Sequence, residues 1–175
     1  RLVEGTGRGD LGVGIPTEDG PTMQKEIIAR WNKDGKQVVT DTQMREMMMN
    51  SYRATRAEAS DVANSIFDGT DVIMLSGETA SGDYPVEAVQ TMSKIARKTE
   101  ESMHYKRRFE HLGIEKQTRI TDAVAHSSVQ LAYELYATVI FTPTVTGYTA
   151  KMVSKYRPRA DIIAYAASAK VARQL

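Results

Sequence analysis

Short apolar runs alternate with longer amphipathic segments along this chain. Runs rich in β-branched and aromatic residues predict strands at 37–40, 71–75, 138–142 and 161–165. None of these runs alternates apolar and polar positions, as a half-exposed antiparallel strand does. Continuous apolar strands separated by helices are typical of a parallel sheet that is covered on both faces. The pattern therefore predicts an α/β fold.

The segments between the strands carry helix signals. Helical spacing of apolar residues predicts helices at 23–32, 85–96 and 120–136. Pro85 suits the first turn of the second helix, and Asp83 lies in its cap region. Thr121 or Asp122 suits the N-cap of the third helix. A polar stretch from about residue 100 to 118 separates two halves of the chain, so we place a domain boundary there.

Composition excludes several classes of protein. The chain has 175 residues, of which 41% are apolar and 26% charged, with a formal net charge of +1. This balance indicates a packed core and favours neither a nucleic-acid nor a membrane partner. The absence of cysteine excludes disulfides, zinc–thiolate sites and thiol catalysis. No apolar run approaches the roughly 20 residues of a membrane helix, and residues 1–5 show no secretory signal. We therefore expect a cytoplasmic protein.

Two early loops carry candidate chemistry. The glycine-rich segment 7–12 allows backbone N–H groups to approach an anion, and the carboxylate of Asp10 suits a hard divalent cation. A Gly–Asp turn without a ligand is the alternative. Thr42, after the run at 37–40, is able to bond a substrate or to pass a proton through water. Helix capping is the alternative for this threonine.

Two later loops are also polar. Ser76 lacks the flanking glycines of a nucleophile elbow, and none of the three histidines suits a catalytic triad, so serine hydrolysis is excluded. A buried hydrogen-bonding role suits Ser76 and Glu78 better than hydrolysis does, but this segment taken alone favours a simple capped turn. Hydroxyl groups and a glycine in Thr142–Thr149 precede a predicted helix and suit a phosphate nest. An ordinary capped helix is the alternative there.

Taken together, these loops and their neighbours resemble the pyruvate kinases over nearly the whole chain. The matching segments, in the order and spacing of that family, are Arg8–Val13, Thr42–Met44, Thr55–Asn64, Asp68–Asp71, Met74–Thr79, Tyr84–Val89 and Lys155–Pro158. Thr142–Val145 resembles the bacterial branch. The resemblance implies an α/β fold: the last three βα units of a TIM barrel, followed by part of a parallel-sheet α/β domain. It assigns residues 1–100 to the catalytic barrel, 101–117 to a connecting segment and 118–175 to the effector-binding domain.

The resemblance also implies an activity, its metal cofactors and its partners. Pyruvate kinases transfer the phosphoryl group of phosphoenolpyruvate to ADP, which gives pyruvate and ATP in glycolysis. They use Mg²⁺ or Mn²⁺ and usually K⁺, they are commonly homotetramers, and they respond to a phosphorylated effector. The resemblance implies that the sixth barrel strand ends at Gly5–Asp10, that Val38–Thr42 is the seventh strand and that Val72–Ser76 is the eighth. We therefore expect the candidate loops to lie at one active site.

The matched positions imply individual roles. Asp10 would be a metal ligand, and the backbone N–H groups of Gly9 and Asp10 would hold the substrate carboxylate. Thr42 would contact that carboxylate and lie near the proton path, which Ser76 and Glu78 would support. The effector phosphate would bind at Thr144, Val145, Thr146, Gly147, Tyr148 and Thr149.

Some family features have no match in this chain. The catalytic lysine, the second carboxylate ligand, the K⁺ site and most of the nucleotide site match none of its residues. Three βα units cannot close a barrel, so we predict that the polypeptide alone neither folds stably nor catalyses. Asp41 stands where a small residue is usual, and Tyr148 where a basic residue is common. A non-catalytic module of the same fold, which binds a metal or a phospho-ligand or serves in assembly, is the main alternative. A different barrel enzyme that acts on phosphoenolpyruvate or pyruvate is another.

Overall fold

The structure, a computed structural model, describes residues 3–7, 16, 18–41, 47–113 and 119–175. The chain divides into two compact units, Arg1–Met103 and His104–Leu175. The described elements of the first unit are β1 (Val3–Gly7), α1 (Gly20–Lys33), β2 (Gln37–Asp41), α2 (Met47–Asn50), α3 (Arg56–Asp68), β3 (Val72–Met74), α4 (Gly77–Ala80) and α5 (Pro85–Ser102).

The three strands of the first unit form one parallel sheet in the order β1-β2-β3. Their register places Gly7, Asp41 and Met74 side by side. The carboxyl ends of the strands therefore meet at one edge of the sheet. The predicted strands at 37–40 and 71–75 correspond to β2 and β3, and the observed strand bounds differ from the predicted ones by one residue. The α/β class is confirmed.

Helices α2, α3 and α5 form the core of the first unit. Met48, Val62 and Ala88 are fully buried there. Helix α3 begins with a capping box in which the Glu58 N–H donates to Thr55 Oγ1 at 3.2 Å and the Thr55 N–H donates to Glu58 Oε2 at 2.6 Å. The spacing Thr-x-x-Glu before an apolar run is the sequence signal for this start.

Helix α5 begins at Pro85, as predicted, because proline lacks the N–H that a first-turn position leaves unpaired. The predicted cap region is wrong by one residue. Tyr84 occupies the N-cap, and its side chain makes no capping hydrogen bond. A proline at the first helical position already fixes the entry to the helix, so this start does not depend on a side-chain cap.

The second unit has its own sheet and core. Its described elements are α6 (Tyr105–Gly113), α7 (Ile120–Glu134), β4 (Val139–Thr144), α8 (Tyr148–Ser154), β5 (Asp161–Ala166) and α9 (Ala169–Ala172). Strands β4 and β5 are parallel, with Val139 opposite Asp161. Phe109 of α6 packs in the core with Val129 and Tyr156, and its ring stacks on His126 at 4.7 Å. Helix α6 thus belongs to this unit, although all of it falls within the range of the predicted connecting segment.

Asp122 pairs across the second unit and does not cap α7. Arg119 occupies the N-cap, so the predicted cap at Thr121 or Asp122 is wrong. The Asp122 carboxylate accepts a hydrogen bond from Lys155 Nζ at 2.8 Å, and both side chains are nearly buried. Burial raises the pKa of Tyr156 to about 12, and the charge of Asp122 acts in the same direction. Because the pair is nearly buried, removal of either partner would leave an uncompensated charge there.

One face of the β4–β5 sheet is open within the described residues. Helices α7 and α8 contact these strands, while Phe141, Ile163 and Tyr165 are exposed. The rings of Phe141 and Tyr165 lie 6.3 Å apart. The expectation of a sheet covered on both faces is therefore not met in the described part of this unit. None of the described helices is long and apolar enough to cross a membrane.

Candidate functional site

The predicted active-site residues follow β1, β2 and β3 in the sequence, and these strands end at the carboxyl edge of the sheet. Gly9, Asp10 and Thr42 lie outside the described residues. Ser76 and Glu78 follow β3 and are described, at the start of α4. In parallel α/β folds, ligands bind at this edge because the loops after neighbouring strands converge there.

Ser76 joins two carboxylates at this edge. Its backbone N–H donates to Glu78 Oε2 at 3.1 Å, and its hydroxyl donates to Asp41 Oδ1 at 3.3 Å. The strand register explains the second contact, because Asp41 lies beside Met74, which comes two residues before Ser76. The sequence marked Asp41 only as a departure from the family pattern and not as a functional candidate. Its position at the end of a predicted strand was the available signal.

Glu78 is fully buried, and only one of its oxygens is satisfied. Oε1 has no hydrogen-bond partner among the residues that the structure describes. Leaving a buried polar atom unpaired costs about 1–3 kcal/mol. Such an atom is an acceptor ready for a donor, so Glu78 has the chemistry of a group that receives or relays a proton. A purely structural reading, in which Glu78 closes the first turn of α4, accounts for Oε2 and leaves Oε1 unexplained.

The packing around α4 is tight. A Cβ at Gly77 would lie 3.1 Å from the Met49 sulfur, and the Asp83 N–H donates to the Met49 carbonyl at 2.8 Å. These contacts hold the turn that carries Ser76 and Glu78. In the described part of the chain, no group of three His, Asp or Glu side chains is arranged to hold a metal ion.

The predicted effector loop forms one turn between β4 and α8. Gly147 has φ +84°, a left-handed conformation that favours glycine. Its N–H donates to Thr144 Oγ1 at 2.9 Å, and the Tyr148 N–H donates to Thr146 Oγ1 at 3.4 Å. Two N–H groups of the predicted nest thus already bond to threonine hydroxyls, so an anion would have to replace these bonds. Arg119, which the sequence pattern did not indicate, donates to the Tyr148 hydroxyl at 3.3 Å.

Comparisons with known proteins assign both parts of the chain. The family models described as "Pyruvate kinase, barrel domain" and "Pyruvate kinase, alpha/beta domain" match residues 5–89 and 122–175. Pyruvate kinases from Bacillus licheniformis and Geobacillus stearothermophilus are both 53% identical over 168 residues, which is 96% of this chain.

The solved structures agree with the family models. A crystal structure of a pyruvate kinase from Cryptosporidium parvum is similar with a TM-score of 0.92 and 44% identity over 99% of this chain. This chain spans 29% of the length of the two bacterial relatives and 36% of the crystallised chain. The matches run through the end of the barrel into the α/β domain. The chain therefore belongs to the pyruvate kinase family.

Proposed function

We propose that this chain supplies the end of the catalytic barrel and the beginning of the effector domain to a pyruvate kinase. The enzyme would be a phosphotransferase that converts phosphoenolpyruvate and ADP to pyruvate and ATP. The observation that carries this proposal is the hydrogen bond between the half-buried Ser76 and the fully buried Glu78 at the carboxyl edge of the sheet. Phosphoryl transfer needs positioning and charge stabilisation, and the enolate that remains needs a proton.

The individual residues divide between binding and proton transfer. Gly9 and Asp10, which follow β1, would hold the carboxylate of phosphoenolpyruvate through their N–H groups. Thr42 follows Asp41 directly and would contact the same carboxylate. Thr42, Ser76 and Glu78 would together form the path by which the enolate carbon gains its proton. Glu78 Oε1, which has no hydrogen-bond partner in the described part of the chain, supports this role, because a relay needs an acceptor that no structural bond occupies.

The divalent cation would be held in part by Asp10. A carboxylate is the hard oxygen donor that Mg²⁺ or Mn²⁺ prefers, and β1 ends at Gly7, which lies beside Asp41 at the edge that also carries Ser76. When bound, the ion would stabilise negative charge on the enolate oxygen as a Lewis acid. Its second carboxylate ligand and the K⁺ site would come from segments that match no residue of this chain.

The alternative is a module that binds a metal and a phospho-ligand without catalysis. The test compares the 175-residue polypeptide with a chimera in which it replaces the matching segment of the Bacillus licheniformis relative. Calorimetry would measure phosphoenolpyruvate binding with and without Mg²⁺. We expect metal-dependent binding by the chimera and none by the isolated polypeptide, because three strands cannot close a barrel. Metal-dependent binding by the isolated polypeptide would favour the alternative.

The second unit would place the enzyme under the control of a phosphorylated effector, in a cytoplasmic homotetramer. Thr144, Val145, Thr146, Gly147, Tyr148 and Thr149 would surround the effector phosphate. Support comes from the left-handed Gly147 and from the threonine hydroxyls that converge on this turn. The Arg119 guanidinium beside Tyr148 adds a positive charge at the same place.

Thr146→Val in the chimera should weaken binding at this loop. The change removes a hydroxyl donor at nearly constant volume, and a hydrogen bond to a charged group contributes about 1.5–3 kcal/mol. We therefore expect the dissociation constant for inorganic phosphate, measured by calorimetry, to rise about tenfold or more. Thr138→Val is the matched control, because this exposed residue lies at the opposite end of β4. Equal constants for the two variants would remove Thr146 from the phosphate site.

A further inference from the structure

We propose that Asp41 is a positioning residue that holds the hydroxyl of Ser76 in one orientation for proton transfer. The inference rests on the proposed function, because it concerns the same site. It gives a role in the site to Asp41, whose side chain contacts Ser76 there among the described residues. The observation behind it is the hydrogen bond from Ser76 Oγ to Asp41 Oδ1, between residues 35 positions apart.

The backbone of Asp41 is fixed from both sides. It is the last residue of β2, the central strand, and it pairs with Gly7 of β1 and with Met74 of β3. Its side chain is half-buried, which limits competition from water. A carboxylate on a rigid central strand is a more exact anchor than one on a loop.

The chemistry of the two groups sets the direction of the bond. A serine hydroxyl has one proton to donate and two lone pairs to accept, while an ionised carboxylate only accepts. The Ser76 proton therefore points towards Asp41, and its lone pairs face the rest of the site. Glu78 Oε2 holds the backbone N–H of the same serine. The backbone N–H and the hydroxyl of Ser76 are thus both held by carboxylates, and the lone pairs of the hydroxyl oxygen are free to accept a hydrogen bond from a group in the site.

The length of the bond agrees with a role that needs substrate. At 3.3 Å it exceeds the usual 2.7–2.8 Å of O–H···O bonds. Hydrogen bonds in catalytic sites are often long in the free protein and shorten in the substrate complex. Without Asp41, the hydroxyl proton would distribute over about three staggered orientations, of which only one leaves the lone pairs correctly placed.

The test uses the chimera with Asp41→Ala and Asp41→Asn. Deuterium uptake into the methyl group of pyruvate, followed by NMR in D₂O with ATP and Mg²⁺, measures proton transfer at carbon. We expect Asp41→Ala to slow this exchange about threefold to tenfold, with the KM for phosphoenolpyruvate changed less than about twofold. Asp41→Asn keeps an oxygen acceptor and should restore most of the rate.

Three comparisons decide the outcome. Asp34 is the C-cap residue of α1, away from the site. Asp34→Ala removes the same charge as Asp41→Ala and should leave the deuterium exchange unchanged. If Asp41 acts through Ser76, then Asp41→Ala adds little in a Ser76→Ala background. Equal exchange in the Asp34 and Asp41 variants, or additive effects in the double variant, would overturn the proposal.

Failure of the proposed function is distinguishable from failure of this inference. A folded chimera without exchange or ATP formation contradicts the proposed function. The role of Asp41 is then decided by a crystal structure of that chimera. A separation above about 4 Å between Ser76 Oγ and both carboxylate oxygens of Asp41 would overturn it, and a retained bond would support it.

Discussion

Replacing Asp10 by asparagine in the chimera is expected to lower kcat for ATP formation about a thousandfold. The proposed role of Asp10 is to hold a divalent cation, and a neutral amide is a much weaker ligand for Mg²⁺ than a carboxylate. Charge on the enolate oxygen would then lose its principal stabilisation in the transition state. A coupled assay of pyruvate formation measures the effect.

The dependence on metal concentration separates this role from a structural one. If Asp10 is a ligand, the concentration of Mg²⁺ or Mn²⁺ that gives half-maximal rate should also rise in the Asp10→Asn variant. Asp34→Asn makes the same chemical change at the carboxyl end of α1, away from the site, and should leave both quantities unchanged. A loss of less than about tenfold with unchanged metal dependence would show that Asp10 does not hold the cation.

Lys155→Met should destabilise the second unit by about 3 kcal/mol. The substitution removes the ammonium that pairs with Asp122 at 2.8 Å, where the side chains are only 10% and 13% exposed. An uncompensated carboxylate would remain in a site that also holds the buried Tyr156. Hydrogen-exchange mass spectrometry of the chimera, read in peptides that cover β4 and β5, measures the local free energy of opening.

An exposed pair in the same chain provides the control. Lys98 and Glu101 are 3.0 Å apart, with side chains 83% and 67% exposed, so Lys98→Met should cost less than about 0.5 kcal/mol in peptides of α5. Adding Asp122→Leu to Lys155→Met should recover part of the loss, because no buried charge then remains unpaired. Equal costs for the two lysine variants would show that burial does not strengthen the Lys155 pair.

The strands and most helices follow from local patterns. Branched apolar runs marked β2, β3, β4 and β5, and Pro85 marked the start of α5. These features depend on residues close together in the chain, which is why a sequence reveals them. The order of candidate loops also led to the family that the comparisons confirm.

The missed features all depend on distant residues. The local sequence around Asp122 indicates a helix cap. Its actual partner, Lys155, is 33 positions later in the chain and reaches it only in the folded structure. Asp41 meets Ser76 only because β2 and β3 are neighbours in the sheet. Helix α6 is rich in charged residues, and Phe109 places it in the core of the second unit, where Leu112 also packs. Average polarity hides such a residue, since one buried ring is enough to anchor a short helix.

The open face of the β4–β5 sheet was also missed because it depends on residues that are distant in the sequence. An apolar run predicts a strand, but it does not say which residues cover each face. Phe141 and Ile163 have the composition of buried strand positions and are exposed in the described structure. Coverage of a sheet is a property of the whole domain, so a pattern within one strand cannot give it.

The initial rate of ATP formation from phosphoenolpyruvate and ADP by the chimera tests the central claim most directly. The unmodified Bacillus licheniformis relative is the reference. If residues 1–175 complete a pyruvate kinase active site, we expect a rate within about tenfold of the reference, because the described site residues Asp41, Ser76 and Glu78 are held by a strand and by the start of a short helix of the same fold. A folded chimera that binds phosphoenolpyruvate with Mg²⁺ and yet forms no ATP would contradict the account.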